Sequence, residues 1–308
     1  MISTEREQGT RQHLEVTKVP PETPLIDVMD LAARHEVRVD EHGFVALVDV
    51  MPRLVPQGKT ADFAIVQAAR VSYGQGTKRV NEDRGLVRYL MRHRHTTPFE
   101  MVEFKFHMSM PIFVARQWIR HRTANVNEYS GRYSIIPDHF YVPSAEDVRK
   151  QSTTNRQGGE EPIGDAGTAE AFVAYLERAV GLYPEYERLL ESGVSRELAR
   201  IGLPINAYTQ WYWKCDLHNI LHFLELRLDP HAQREIREYA EAMYALMEPI
   251  VPVAMEAFRD YRLEGVNLTR LEVDALRARL AGGSPDLNTT NSREREEWAA
   301  KRQKLGLE

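Results

Sequence analysis

The sequence predicts an α+β fold, a small mainly antiparallel sheet surrounded by helices. Three observations point there. Helical patterns outnumber strand patterns, and the strands do not alternate with helices as βαβ units require. Val102, Phe104, Phe106, Met108 and Met110 alternate with Glu103, Lys105, His107 and Ser109, which is the period of a half-buried strand.

The elements follow in order. Residues 1–24 are polar and broken by prolines, so a loose N-terminal arm is expected. GFVALVDVM at 43–51 is the first β-rich run. A helix is expected over 62–73, then a turn at GQGTK, then a helix over 82–94. Pro111 suits the first turn of a helix running to 122, because the N–H it lacks has no partner there anyway. The stretch QSTTNRQGGEEPIGDAG at 151–167 has the composition of a surface insertion. A long amphipathic helix follows over 168–191, then a shorter one that Ser195 can cap. Further helical patterns cover 217–228, 231–249, 253–263 and 267–280. GGSPDLNTTNS breaks the pattern, and the charged segment 283–308, around Trp298, is expected as a peripheral helix or a tail. There is no internal repeat, and 25–282 is expected to form a single domain.

Composition narrows the possible functions. The chain has 308 residues, 43% hydrophobic and 28% charged, enough for a real core and unlike a disordered or fibrous sequence. No apolar run reaches the roughly 18 residues of a membrane span, and MISTEREQGT lacks the apolar stretch of a signal peptide, so a cytoplasmic location away from membranes is expected. The single cysteine, Cys215, excludes an intramolecular disulfide and a thiolate zinc cage.

Net charge is −5, yet Arg84 to Arg132 carries nine Lys or Arg against three acids. In an acidic chain, such a local excess suggests a site for a phosphorylated small molecule more than general nucleic-acid affinity. A pair of solvated basic helix faces accounts for the count alone equally well. Within this segment, Arg116-Gln117-Trp118-Ile119-Arg120-His121-Arg122 places Gln117 and Arg120, and Arg116 and Arg120, on one face of the expected helix. A polar loop then offers Asn127, Glu128, Ser130 and Arg132, with Gly131 permitting an unusual backbone angle. Guanidinium forks, a hydroxyl and free loop N–H groups suit a phosphate monoester. Basic residues closing a helix also satisfy its last carbonyls, which leaves Arg120 to Arg122 with a structural alternative.

Arg120-His121-Arg122, seven residues and then Ser130 resembles the signature of the flavin-dependent thymidylate synthases. The resemblance extends to His95-Thr96-Thr97-Pro98-Phe99-Glu100, to Arg196-Glu197-Leu198-Ala199-Arg200, and to the run from Asp216 to Arg227. These stretches, within about 43–263, keep the family's order and spacing. Asn125 departs from the pattern, standing where a Ser or Ala is usual.

The resemblance implies conversion of dUMP to dTMP, with 5,10-methylenetetrahydrofolate as carbon donor and NADPH reducing a bound FAD. It also implies a homotetramer whose sites are shared between subunits. Arg227 then polarises the uracil. Gln117, Trp118, Ile119, Arg120, Glu128, Tyr129, Ser130, Gly131, Arg132 and Arg200 line the dUMP pocket with Arg227. Thr97, Arg120, His121, Arg122, Glu128, Asp216, Leu217, His218 and His222 contact FAD, and His95 lies toward the folate. Cys215 matches no catalytic position of the family, and its aromatic surroundings suit a packed small hydrophobe. His218 and His222, one helical turn apart, also suit a metal pair, but His-Asn-Ile-Leu-His lacks the Glu of the zinc-protease motif and no third ligand is evident, so no metal is expected. Asp216 also suits the N-cap of the helix that follows it.

Overall fold

The computed structural model describes residues 23–71, 83–153 and 158–307. The expected turn at GQGTK and nearly all of the expected arm lie outside these residues. The chain runs β1 (Leu25–Asp27), β2 (Glu36–Arg38), β3 (Phe44–Met51), β4 (Leu54–Pro56), α1 (Asp62–Val71) and α2 (Asp83–Arg92). After a 3₁₀ turn at Thr97–Met101 come β5 (Glu103–Pro111), α3 (Ile112–Trp118) and β6 (Asn125–Glu128). Then follow β7 (Arg149–Gln151), β8 (Gly159–Pro162), α4 (Ala166–Val180), α5 (Tyr183–Glu191) and α6 (Arg196–Ala199). The order closes with β9 (Tyr208–Asp216), α7 (Leu217–Arg227), α8 (Arg234–Met247), α9 (Pro252–Phe258), α10 (Arg270–Leu280) and α11 (Ser292–Leu305). Contacts divide these residues into two compact units, ending at Ala257 and starting at Phe258.

In the first unit a five-stranded antiparallel sheet, ordered β2-β3-β5-β9-β6, carries the site. The period-two expectation holds in β5 as far as Met108, with Phe104, Phe106 and Met108 buried and Lys105 exposed, but Ser109, expected on the polar face, is buried as well. Its centre pairs with β9, which sequence reasoning passed over, with Phe106 opposite Trp213 and His107 opposite Tyr212. The signal was present, since Trp211, Trp213 and Cys215 are buried while Tyr212 between them is exposed. Trp118 joins the buried face, stacking on Phe223 at 4.2 Å and meeting Trp211, Trp213 and Tyr239 edge-on. Such aromatic pairs contribute about 0.5–1.5 kcal/mol each beyond their burial. The cluster therefore fixes α3, α7 and α8 against the sheet.

Four expectations need correction. The helix opened at Pro111 stops at Trp118, so Arg120 and His121 lie in turns, their N–H groups donating to Gln117 and Trp118 carbonyls at 3.4 and 2.9 Å. The expected loop after it is instead the edge strand β6, pairing Asn125 with Lys214 and Glu128 with Trp211. The long helix over 168–191 is two helices parted at Gly181 and Leu182, with Pro184 in the first turn of α5. Ser195 stands at the N-cap of α6 without a side-chain capping bond. The 151–167 segment contributes to the exposed β7–β8 hairpin, with 154–157 outside the described residues.

The second unit has its own small core of Ala275, Leu287 and Trp298. Thr269 and Glu272 form a capping box on α10, and Lys301 of α11 reaches both Glu272 oxygens at 2.9 and 3.0 Å. The charged final segment is thus a helix, with Trp298 buried and its Nε1 donating to the Pro285 carbonyl at 2.7 Å.

Candidate active site

Asp216 closes β9 and caps α7, its Oδ1 accepting from the Asn219 N–H at 3.0 Å. Leu217 N donates to the Val102 carbonyl at 2.7 Å, joining the start of α7 to the end of the Thr97–Met101 turn. That turn packs on α7, so Thr97, Asp216, Leu217 and His218 belong to neighbouring elements. His95 stands before it, exposed, with its ring 6.1 Å from that of Tyr89.

The C-terminal end of α7 meets the Arg-His-Arg turn. Arg227 Nε donates to His121 Nε2 at 3.1 Å. His121 lies edge-on to Phe223 at 4.9 Å and to His222 at 6.2 Å. Burial, then the charges of Arg227 and His222, hold the His121 imidazole down to about 4. Burial also lowers Arg227 from the ordinary guanidinium value. A neutral imidazole is the acceptor that this geometry requires. Gln117, one residue before buried Trp118, donates its Nε2 to Gln233 Oε1. Arg120 and Arg122 are exposed and carry no ion pair among the described residues.

A second group forms beyond β6, a strand about 10 Å long. Ser130 Oγ accepts from the Arg132 N–H at 3.3 Å, and Arg132 pairs with Glu197 at 3.3 Å. Arg200 reaches the same place: a Cβ on Gly131 would stand 3.2 Å from its Cδ and 2.9 Å from Ile136 Cδ1. A larger residue at 131 would therefore push on the Ile136 and Arg200 side chains, and the backbone there does not adopt the unusual angle that the sequence suggested. Arg196 Nη1 donates to the Tyr133 carbonyl at 3.0 Å, bracing α6 on the loop. Tyr129 OH donates to the Ile135 carbonyl at 2.6 Å, and Glu128 accepts from Thr209 Oγ1 at 2.8 Å.

Besides Thr97, Asp216, Leu217 and His218 at the start of α7, the predicted residues gather in two groups, one around Arg227 and His121, one around Ser130, Gly131, Arg132 and Arg200. The Trp118 indole is fully buried in the core, while Ile119 beside it is half-buried. Among the described residues no three His, Cys, Asp or Glu are grouped to hold a metal ion, and His218 and His222 gain no third partner. Cys215 is buried, its thiol donating to the Thr123 carbonyl at 3.1 Å, and burial pushes its pKa up. Gln233 and Glu197 are site neighbours that sequence reasoning missed. Gln233 had no signal of its own, whereas Glu197 sat three residues before Arg200 in a recognised motif.

An antiparallel sheet walled by helices, with unpaired arginines on a turn braced by a helix end, defines an α+β protein equipped to bind an anionic ligand. The protein-family model described as "Thymidylate synthase complementing protein" matches residues 53–253. The chain is 63% identical over 290 residues to a flavin-dependent thymidylate synthase of Dictyostelium discoideum, covering 94% of each. It is 50% identical over 279 residues to one from Gluconobacter oxydans (strain 621H), covering 88% of this chain and 89% of that one. A crystal structure of a UMP/dUMP methylase PolB from Streptomyces cacaoi, bound with 5-Br UMP, is similar with a TM-score of 0.63 and 35% identity, covering 73% of this chain and 97% of that one. The chain belongs to the flavin-dependent thymidylate synthases, and is a methyltransferase.

Proposed function

We propose that the chain makes dTMP from dUMP, using 5,10-methylenetetrahydrofolate as carbon donor and NADPH as reductant, with FAD as resident cofactor. The contact that carries this reading is Arg227 Nε to His121 Nε2 at 3.1 Å, which ties the end of α7 to the Arg-His-Arg turn.

FAD, when bound, supplies the redox chemistry. Thr97, Arg120, His121, Arg122, Glu128, Asp216, Leu217, His218 and His222 are the residues to hold it. The donor set fits, because Arg120 and Arg122 have no carboxylate partner among the described residues and their charge is open to a diphosphate.

Methylation at C5 of uracil requires negative charge to develop along O4 and N3. With its Nε committed to His121, Arg227 keeps both Nη groups for that edge. A fixed cation there stabilises the developing charge without reacting itself. Ser130, Arg132, Arg200 and Gln117 serve the nucleotide and chiefly its phosphate, and His95 lies on the folate side. Ser130 Oγ already accepts from the Arg132 N–H, as suits a ligand-binding hydroxyl rather than a nucleophile. Cys215 takes no part, since burial keeps its thiol protonated. In a cytoplasmic homotetramer, neighbouring subunits complete each site and bring the two groups of residues to one nucleotide.

The purified protein should be yellow and release FAD. NADPH should bleach it anaerobically, and dTMP should form only with dUMP and methylenetetrahydrofolate present. A colourless protein that takes up no added FAD overturns the reading.

A further inference from the structure

Gln233 stands at the N-cap of α8, a position where side chains ordinarily accept from the first turn, yet it makes no such bond. Its Oε1 instead accepts from Gln117 Nε2, across the packed pair α3 and α8. Its neighbours hold it there. Arg234 pairs with Asp147 and, at 2.7 Å, with Glu238, while Tyr141 OH donates to Glu235 Oε1 at 3.0 Å. On the other side, the Pro230 carbonyl accepts from Arg237 Nη1 at 2.9 Å and Asp229 O from the Ala232 N–H at 2.9 Å. The connection from Arg227 to α8 is thus pinned along its length.

We infer that Gln233 is a positioning residue for nucleotide binding, acting through Gln117; the inference rests on the reading of Gln117 as a dUMP ligand. A primary amide offers two N–H donors and one carbonyl acceptor. Its terminal torsion is otherwise broad and roughly two-fold, so a free glutamine presents either end. The bond to Gln233 holds the plane of the Gln117 amide and takes up one of its N–H groups. Its remaining N–H and its carbonyl become a fixed edge for the nucleotide. Trp118 extends this rigidity, because the next residue along α3 is locked in the aromatic core.

The test is a double-mutant cycle on the FAD-loaded protein: wild type, Gln117→Met, Gln233→Met and the double variant, with dUMP affinity from equilibrium titration and melting temperature from the same preparations. Gln233→Met should weaken dUMP binding about fivefold, the effect of one lost hydrogen bond. In the Gln117→Met background the same change should cost less than about twofold. Saturating turnover and melting temperature should stay near those of each parent. Equal loss in both backgrounds, or no loss in the wild-type background, overturns the inference while leaving the proposed reaction intact. A wild-type protein that binds no dUMP brings down both. Should Gln233→Met misfold, Gln233→Ala removes the same acceptor without adding bulk, and it runs through the identical cycle with the same criteria.

Discussion

Arg227 and His121, separated by 106 positions in sequence, share one hydrogen bond in which the arginine Nε donates and the imidazole Nε2 accepts at 3.1 Å. The direction of that bond has consequences for both partners. The histidine must keep its lone pair, and the arginine is left with two Nη groups in a defined plane. Phe223 stacks on Trp118 and abuts His121, so the pair is braced by the aromatic core behind it.

His121 makes stability depend on pH. An ordinary histidine takes its proton near 6.5, while burial and Arg227 delay this one to about 4. Between those values the unfolded chain binds a proton that the folded chain refuses, so stability is full above about 6.5 and falls as pH drops toward 4. His121→Asn should flatten that part of the profile, measured as the urea midpoint at several pH values. An unchanged slope would assign the acid sensitivity to other groups.

Arg227→Ala should lower turnover by about a hundredfold, the usual effect of removing one donor aimed at developing charge. Binding of dUMP should weaken only a few-fold, because the proposed phosphate ligands Arg200, Arg132 and Ser130 are untouched. Arg227→Lys retains charge but loses the planar fork and the Nε donor, so it should recover little of the lost rate. Steady-state kinetics beside equilibrium titration separate the two effects, and equal losses in both would make Arg227 a binding group only.

Legibility followed local signals. The β5 alternation and the helices from α7 onward are written in single stretches of sequence, where periodicity and capping act over one or two turns. The four motifs were equally readable, being short and correctly spaced. What escaped was set by partners distant in sequence. Strand β6 is polar, and it is a strand because β9 offers it a ladder; a chain that reads Asn125, Asn127 and Glu128 as a loop has no means of finding that edge. The premature end of α3 has the same origin, since the turn after Trp118 is needed to start β6. The surroundings of Gly131 are likewise absent from its local sequence: Ile136 and Arg200 crowd it, and Arg200 is a neighbour that only the fold supplies. Gln233 belongs to the same class, an ordinary polar residue given meaning by Gln117.

Cys215→Ala should retain synthase activity. The thiol is buried against the sheet, its proton is held by the Thr123 carbonyl at 3.1 Å, and burial disfavours the thiolate that a nucleophile requires. Folding stability should fall by about 1 kcal/mol from the lost packing and the lost weak hydrogen bond. Assay of dTMP formation decides the matter, and complete inactivation of a folded variant would return the thiol to the mechanism.

Asp62 makes the last prediction, away from the site. Its carboxylate is buried, and it accepts from the Val253 and Ala254 N–H groups at 3.0 and 2.9 Å and from Thr60 Oγ1 at 2.9 Å. It thereby caps α9 from the start of α1, closing a contact between segments 191 positions apart. Asp62→Asn replaces one acceptor oxygen with an NH₂ that faces a donor, leaving a buried group unpaired at a cost of about 1–3 kcal/mol. The size of the effect should itself vary with pH. Burial raises the Asp62 pKa above its ordinary 3.8 despite these bonds, so the folded chain holds a proton that the unfolded chain has already released. Its contribution is therefore fully present below that ordinary value and is lost as pH rises through the raised one. Asparagine has no such dependence, so the gap between the two proteins should be widest in acid and narrow toward neutrality, as read from urea unfolding at each pH. A gap that widens instead would mean that the ionised carboxylate is the form the α9 terminus prefers.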